Sequence, residues 1–195
     1  MRVSRVQAAE NRETVIDVAS RLFREHGFNG IGLKDLMKGA GLTQGAFYKQ
    51  FASKEDLAIQ ATKRALESAS ARWTDAVQAK PEEPLGAVMD FYLSSGHREE
   101  RMDGCPIVAL GSDAARQSSD IKAAFEAGIK SHLDVLNHMI GETTEERPNS
   151  KAMAILATMI GAMTLSRVVN DPELAQGFLD SAAEQVRAIQ ARASA

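Results

Sequence analysis

One stretch limits the possible folds of this chain more than any other: residues 31–57, IGLKDLMKGAGLTQGAFYKQFASKEDL. Leu33, Leu36 and Met37 recur at the i, i+3, i+4 spacing of a helix face. Gly41 ends that helix, because glycine adopts the left-handed conformation a sharp turn requires. Leu42 plugs the corner from inside. Thr43 then stands as the cap of a second helix, residues 44–51, its hydroxyl accepting a backbone N–H. Ala46, Phe47 and Phe51 are kept for packing, which leaves Thr43, Gln44, Gly45, Tyr48 and Lys49 facing outward. A short helix, a glycine turn and a second helix with a polar and aromatic outer face is the arrangement that carries side chains into a DNA major groove.

The rest of the chain reads as helices. Residues 1–10 form an arm, and residues 11–26 a helix with Val15, Ile16, Ala19, Leu22 and Phe23 as its apolar stripe and Arg12, Arg21, Arg24 and Glu25 as its wet face. Gly27 ends it and Phe28 folds back. Ser53 opens a long helix reaching about residue 77, with Glu55 and Asp56 in its first turn, where the macrodipole favours acids. Helices follow over 84–95 and 105–116, the latter with Pro106 at its first position, separated by a charged loop over 96–104. Another helix starts at Ser119 and carries Ile121, Phe125, Ile129, Leu133, Leu136 and Ile140 on one stripe; residues 141–149 are a loop. Two helices close the chain, 151–169 and one from Pro172 onward. The first is apolar almost all round, so it needs cover on every side. A second copy of the chain supplies it in a four-helix dimer interface, with Ile155, Met159, Met163, Phe178, Ala182 and Val186 as the expected contacts.

Composition sharpens this reading. The chain is 44% hydrophobic yet only 5% aromatic, with 5 prolines and no run of alternating β-branched residues. That favours an all-α protein of about nine helices. Residues 1–54 form the helix-turn-helix domain and 55–195 a helical ligand-binding and dimerisation domain. The first 54 residues hold nine Lys/Arg against five Asp/Glu; the remainder holds fourteen against twenty-one. A basic front and an acidic rear suit a protein whose N-terminal part meets phosphate. A lone cysteine, no signal-peptide core and no continuous apolar run of membrane-spanning length favour the cytoplasm, with no membrane partner.

Residues 14–57 resemble the N-terminal domain of TetR-family (tetracycline-repressor-like) regulators. Ala19, Leu22, Phe23, Gly27, Phe28, Asp35, Ala40, Gly41, Gly45, Phe47, Tyr48, Phe51, Ser53, Lys54 and Leu57 carry the resemblance. Beyond residue 57 only architecture matches, except that Gly104-Cys105-Pro106 resembles a branch whose sixth helix opens with a Gly-Cys pair. The resemblance implies an all-helical homodimer that binds a palindromic double-stranded DNA operator, usually as a repressor released by a small ligand. It places Thr43, Gln44, Gly45, Tyr48 and Lys49 against DNA. Gln44 can bond an adenine edge bidentately and Lys49 a guanine or phosphate. Tyr48, Lys54 and Lys34 are phosphate candidates. Gln44 and Gln50 depart from the basic residue or histidine many relatives carry, which bears on base preference.

An inducer pocket is expected between the long helix and those after it, lined by Trp73, Met89, Phe91, Tyr92, Met102, Cys105, Phe125, His132 and Met139, a set that also reads as plain core. Cys105 has two readings: an activated thiolate at a helix N-cap, hence a redox- or electrophile-sensing repressor, or a small apolar residue packed under a loop. His97 with Cys105 is too small a set for zinc, and His132 and His138 do not share the face of a metal-binding helix. No cofactor is expected. A DNA-binding protein without inducer is an alternative. An enzyme using Cys105 is disfavoured because no base is evident beside it.

Overall fold

The computed structural model describes residues 4–141 and 149–191. Ten helices make up the described residues, with no strand among them: α1 Arg5–His26, α2 Leu33–Gly39, α3 Gln44–Phe47, α4 Lys54–Ala79, α5 Pro84–Tyr92, α6 Ser95–Glu99, α7 Pro106–Ala114, α8 Ser119–Met139, α9 Ser150–Val168 and α10 Pro172–Ala191.

Boundaries differ from the sequence reading where capping chemistry outweighs hydrophobic period. α1 starts at Arg5, not residue 11, because the Ser4 hydroxyl accepts the Gln7 N–H at 3.1 Å. The expected 96–104 loop is helical at its start, in α6, where Ser94 Oγ accepts the His97 N–H at 3.1 Å. α3 is a single helical turn that gives way to hydrogen-bonded turns through Gln50. The expected loop over 141–149 lies largely outside the described residues.

Buried side chains form two cores. One joins α1, α2 and α3 to the start of α4 through Val15, Phe23, Leu36, Met37, Phe47, Phe51 and Leu57, and it also takes Leu110, Ala114, Ile121 and Phe125 from α7 and α8. The other fills the body with Trp73, Leu85, Val88, Tyr92, Leu136, Ile155, Met159, Leu179 and Val186. α4, spanning ~39 Å at 1.5 Å per residue, contributes to both.

The closing helices differ from expectation in which residues face out. Ile155, Met159, Met163, Ala182 and Val186 are buried inside the protomer, and Phe178 is half-buried. A side chain already enclosed by its own chain has no surface to offer a partner. The outward apolar residues are instead Met153, Leu165, Val168 and Leu174, 44–69% exposed. α9 is long and apolar enough by length and composition to cross a membrane, yet one side of it packs in the body core.

Candidate nucleic-acid interface

The turn between α2 and α3 is set by two backbone hydrogen bonds. Gly41 N–H donates to Lys38 O at 3.0 Å and Leu42 N–H to Met37 O at 2.9 Å, a Schellman closure. Gly41 sits at φ 70°. A Cβ there would meet nothing within 4 Å, so conformation rather than space demands glycine. Leu42 packs on the N-terminal core, as the sequence reading expected.

α3 is held from beneath by Phe47, fully buried, whose ring stacks on Phe51 at 5.4 Å. Tyr48 leans edge-on against Phe47 at 5.3 Å while remaining 68% exposed. Thr43, Gln44, Gly45 and Lys49 are exposed beside it, and Lys34 is exposed at the start of α2. Thr43 is the N-cap, but its hydroxyl accepts no backbone N–H, contrary to the sequence reading. The one-turn helix closes through the Ala46 N–H to Thr43 O bond, and Thr43 is exposed. Gly45 has open space around its Cβ position. Lys54 is half-buried, its ammonium 5.9 Å above the Phe23 ring, and burial lowers its pKa. α4 starts on a reciprocal cap: Ser53 Oγ accepts from Asp56 N, and the Asp56 carboxylate accepts from Ala52 N, each at 3.0 Å.

In the body, Trp73, Phe91, Tyr92, Cys105 and His132 converge with His97 around a cavity of about 10 Å³, the space of roughly one water. Trp73 meets His132 edge-on at 4.6 Å and Tyr92 at 5.8 Å. The His97 ring bridges Tyr92 O, 2.7 Å from Nδ1, and the Cys105 N–H, 3.0 Å from Nε2. Nε2 must therefore be the unprotonated acceptor. Burial drives the His97 pKa down to about 4. Burial, reinforced by the neighbouring Cys105 side chain, pushes the Tyr92 hydroxyl well up. Four expected liners lie elsewhere. Phe125 faces the N-terminal core because its stripe continues from Ile121. Met89 borders a separate cleft with Leu93 and Leu179 near α10. Met102 is half-buried outside this cavity. Met139 lines an open groove of about 480 Å³ between α4 and α8 with Val77, Pro81, Pro84 and Val135.

Residues 15–61 match the family model described as bacterial regulatory proteins, tetR family, and residues 81–187 match the transcriptional regulator LmrA/YxaF-like C-terminal domain, more than half the chain. The chain belongs to the TetR family of transcriptional regulators. It is similar to the HTH-type transcriptional regulator LmrA of Bacillus subtilis, 26% identical over 80% of this chain and 86% of that one. It is also similar to the HTH-type transcriptional repressor NemR of Escherichia coli, 23% identical over 82% and 85%. Among solved structures, a TetR-family regulator from Cytophaga hutchinsonii shares the fold with TM-score 0.80 over 98% and 97% of the two chains at 22% identity. The reduced form of E. coli NemR does so with TM-score 0.75 over 91% and 95%, also at 22%.

Within this TetR-family chain, sequence reasoning missed a group of arginines. Arg24, assigned to a wet face, is 7% exposed. Its Nη1 donates to Gly104 O and its Nε to Ser20 O, each at 2.9 Å, and it stands 3.9 Å from Asp103. The available signal was slight: Arg24 follows buried Phe23 and lies one turn beyond Ser20, itself buried despite its polarity.

Proposed function

We propose that this regulator binds a palindromic operator as a homodimer and represses transcription in the cytoplasm until a small molecule releases it. The DNA reading rests on one observation: Thr43, Gln44, Gly45, Tyr48 and Lys49 are exposed together on a turn whose inner side is anchored by Phe47 and Phe51. Gln44 suits an adenine edge, Lys49 a guanine or phosphate, and Tyr48 and Lys34 phosphates. Lys54, half-buried over Phe23, suits a phosphate close to the protein surface. Residues 1–54 then read DNA and residues 55–195 bind effector and partner.

The dimer reading is supported by α9. Met153, Ala157, Gly161, Leu165 and Val168 follow one another every three or four residues along its outer side. On α10, which packs against α9, Leu174 is exposed and Phe178 half-buried. The effector reading is supported by the cavity at Trp73, Tyr92, Cys105 and His132, where a buried hydroxyl, thiol and imidazole converge among aromatic rings. Anything larger than a water must displace a wall.

The test is a fluorescence titration against duplexes selected from a random pool, at about 50 to 200 mM salt. Log affinity should fall ~0.9 per phosphate contact for each decade of salt. Salt-insensitive binding would refute the DNA reading.

A second reading has a specific observation behind it. Cys105 is the N-cap of α7, buried beside the Tyr92 hydroxyl and near the guanidinium groups of Arg24 and Arg167. Its place on the cavity wall supports release of DNA by an electrophile that enters the cavity and modifies Cys105. If Cys105→Ser leaves electrophile-induced release unchanged, this reading fails.

A further inference from the structure

We propose that Arg12 is a positioning residue for DNA recognition, a single guanidinium on α1 that fixes both ends of the link between α3 and α4. The inference deepens the reading that the exposed turn meets DNA, and rests on it. Tyr48 closes α3 and Lys54 opens α4, so this link carries two of the expected phosphate contacts. Its residues Tyr48, Lys49, Ala52 and Ser53 are exposed, which leaves its pose to be set from the inner side. Arg12 reaches it by two routes. The first runs along hydrogen bonds. Arg12 Nη2 donates to Gln60 Oε1 at 2.5 Å, Gln60 Nε2 donates to Asp56 Oδ1 at 2.6 Å, and Asp56 Oδ2 accepts the Ala52 N–H at 3.0 Å. The second runs through rings. The Arg12 guanidinium carbon lies 5.1 Å from the Phe51 ring centroid, within cation–π range. Phe51 stacks on Phe47 at 5.4 Å, and Tyr48 leans on Phe47 at 5.3 Å. One route ends on the backbone just before the Ser53 cap, the other beneath Tyr48.

The hydrogen-bonded route is polarised in one sense, from a cation through a neutral amide to a carboxylate, so each bond strengthens the next. It also gives the half-buried Gln60 a single orientation. Turning the amide over would set its NH2 against the guanidinium and its oxygen against the carboxylate. The neighbouring charges leave Arg12 to this task. Arg64 reaches across from α4 to Glu13 and Asp17, and the Glu13 carboxylate it holds stands 4.0 Å from Arg12 Nη1, at the limit of an ion pair. Arginine suits both routes at once, because its planar group lays a face on a ring while its edge donates in the plane. Without it, Gln60 Oε1 loses its donor, the amide is free to turn, and the Asp56 carboxylate is no longer held toward the Ala52 N–H. Tyr48 and Lys54 then lose their fixed spacing on the phosphates, although neither has been altered.

Gln60 provides the test because it has no charge to give a phosphate, so an effect there separates positioning from direct contact by Arg12. The full-length wild type, Arg12→Met, Gln60→Ala and the double variant are titrated by fluorescence against one duplex selected by the wild type, at about 50 to 200 mM salt. Each single substitution should weaken binding about tenfold and the double variant less than about thirtyfold, because both cut the same chain. Gln60→Ala should also flatten the plot of log affinity against log salt by ~0.9, the loss of one phosphate contact, although it removes no charge. A smaller folded fraction would leave that slope unchanged. Binding by Gln60→Ala within about twofold of the wild type overturns the positioning role, and a loss in Arg12→Met alone then makes Arg12 a direct phosphate contact. A double variant weaker by about a hundredfold, the product of two independent effects, overturns it as well. So does a weakened Gln60→Ala with the wild-type slope. If Arg12→Met does not fold, the affinity and slope of Gln60→Ala decide. A wild type that binds no duplex refutes the DNA reading itself, and the positioning role falls with it.

Discussion

Replacing His97 with glutamine isolates a titration that this fold makes unusually consequential. His97 is 4% exposed, and both its ring nitrogens are engaged, one with Tyr92 O and one accepting the Cys105 N–H. Its pKa falls from 6.5 to about 4, chiefly through burial. A histidine with a depressed folded pKa contributes stability that is fully present above its unfolded pKa. That stability drains away as pH falls from 6.5 toward 4, because the unfolded chain takes up the proton first. From these two values the loss is ~2 kcal/mol by pH 5 and ~3 kcal/mol by pH 4. Protonation also turns the acceptor at Nε2 into a donor facing the Cys105 N–H. Glutamine can donate to one backbone group and accept from the other without titrating. His132, its pKa also lowered by burial, adds to the loss in the same direction. The Glu100 contribution, held by its hydrogen bond from Arg72, is lost only below the ordinary carboxylate range. Urea unfolding at pH 7 and pH 5 is therefore the assay. The wild type should lose ~2 kcal/mol more than His97→Gln between those two values. An equal loss in both proteins would refute the reasoning.

Two further outcomes follow from the surfaces. Gln44→Ala should cost ~1–3 kcal/mol at one base position and relax preference there, whereas Tyr48→Phe should weaken binding to all duplexes about equally; competition titrations with single-base variants distinguish them. Val168→Asp, at a site 69% exposed in the protomer, should leave the urea midpoint nearly unchanged at high dilution. It should also weaken dimerisation about a hundredfold or more, by ~3 kcal/mol, as read by sedimentation equilibrium.

The helix-turn-helix was legible because its information is local. Glycine at position 41 and apolar residues at 36, 37, 47 and 51 specify a turn and an inner face within some twenty residues, and the structure builds both. The closing helices were legible as elements but not as faces. α9 is apolar on two sides, so periodicity cannot say which side its own chain covers; Met159 went inward and Leu165 outward through packing with α10. The body cavity was half legible. Trp73, Tyr92, Cys105 and His132 meet, but Met89, Met102 and Phe125 were assigned by residue type alone, which carries no direction. Least legible was the arginine group, because Arg24 and Gly104 are eighty positions apart and neither departs from ordinary surface chemistry in sequence.

The shared core bears on how such proteins can be recombined. Leu110, Ala114, Ile121 and Phe125 belong by sequence to the body, yet they close the hydrophobic interior of the DNA-reading half, and Asp113 accepts the Phe28 N–H at 2.9 Å across the same seam. A graft that exchanges only the first 54 residues with those of a relative, to redirect the regulator to another operator, would join two halves cut through a single interior. A chimera that also carries the α7–α8 corner would keep that interior whole.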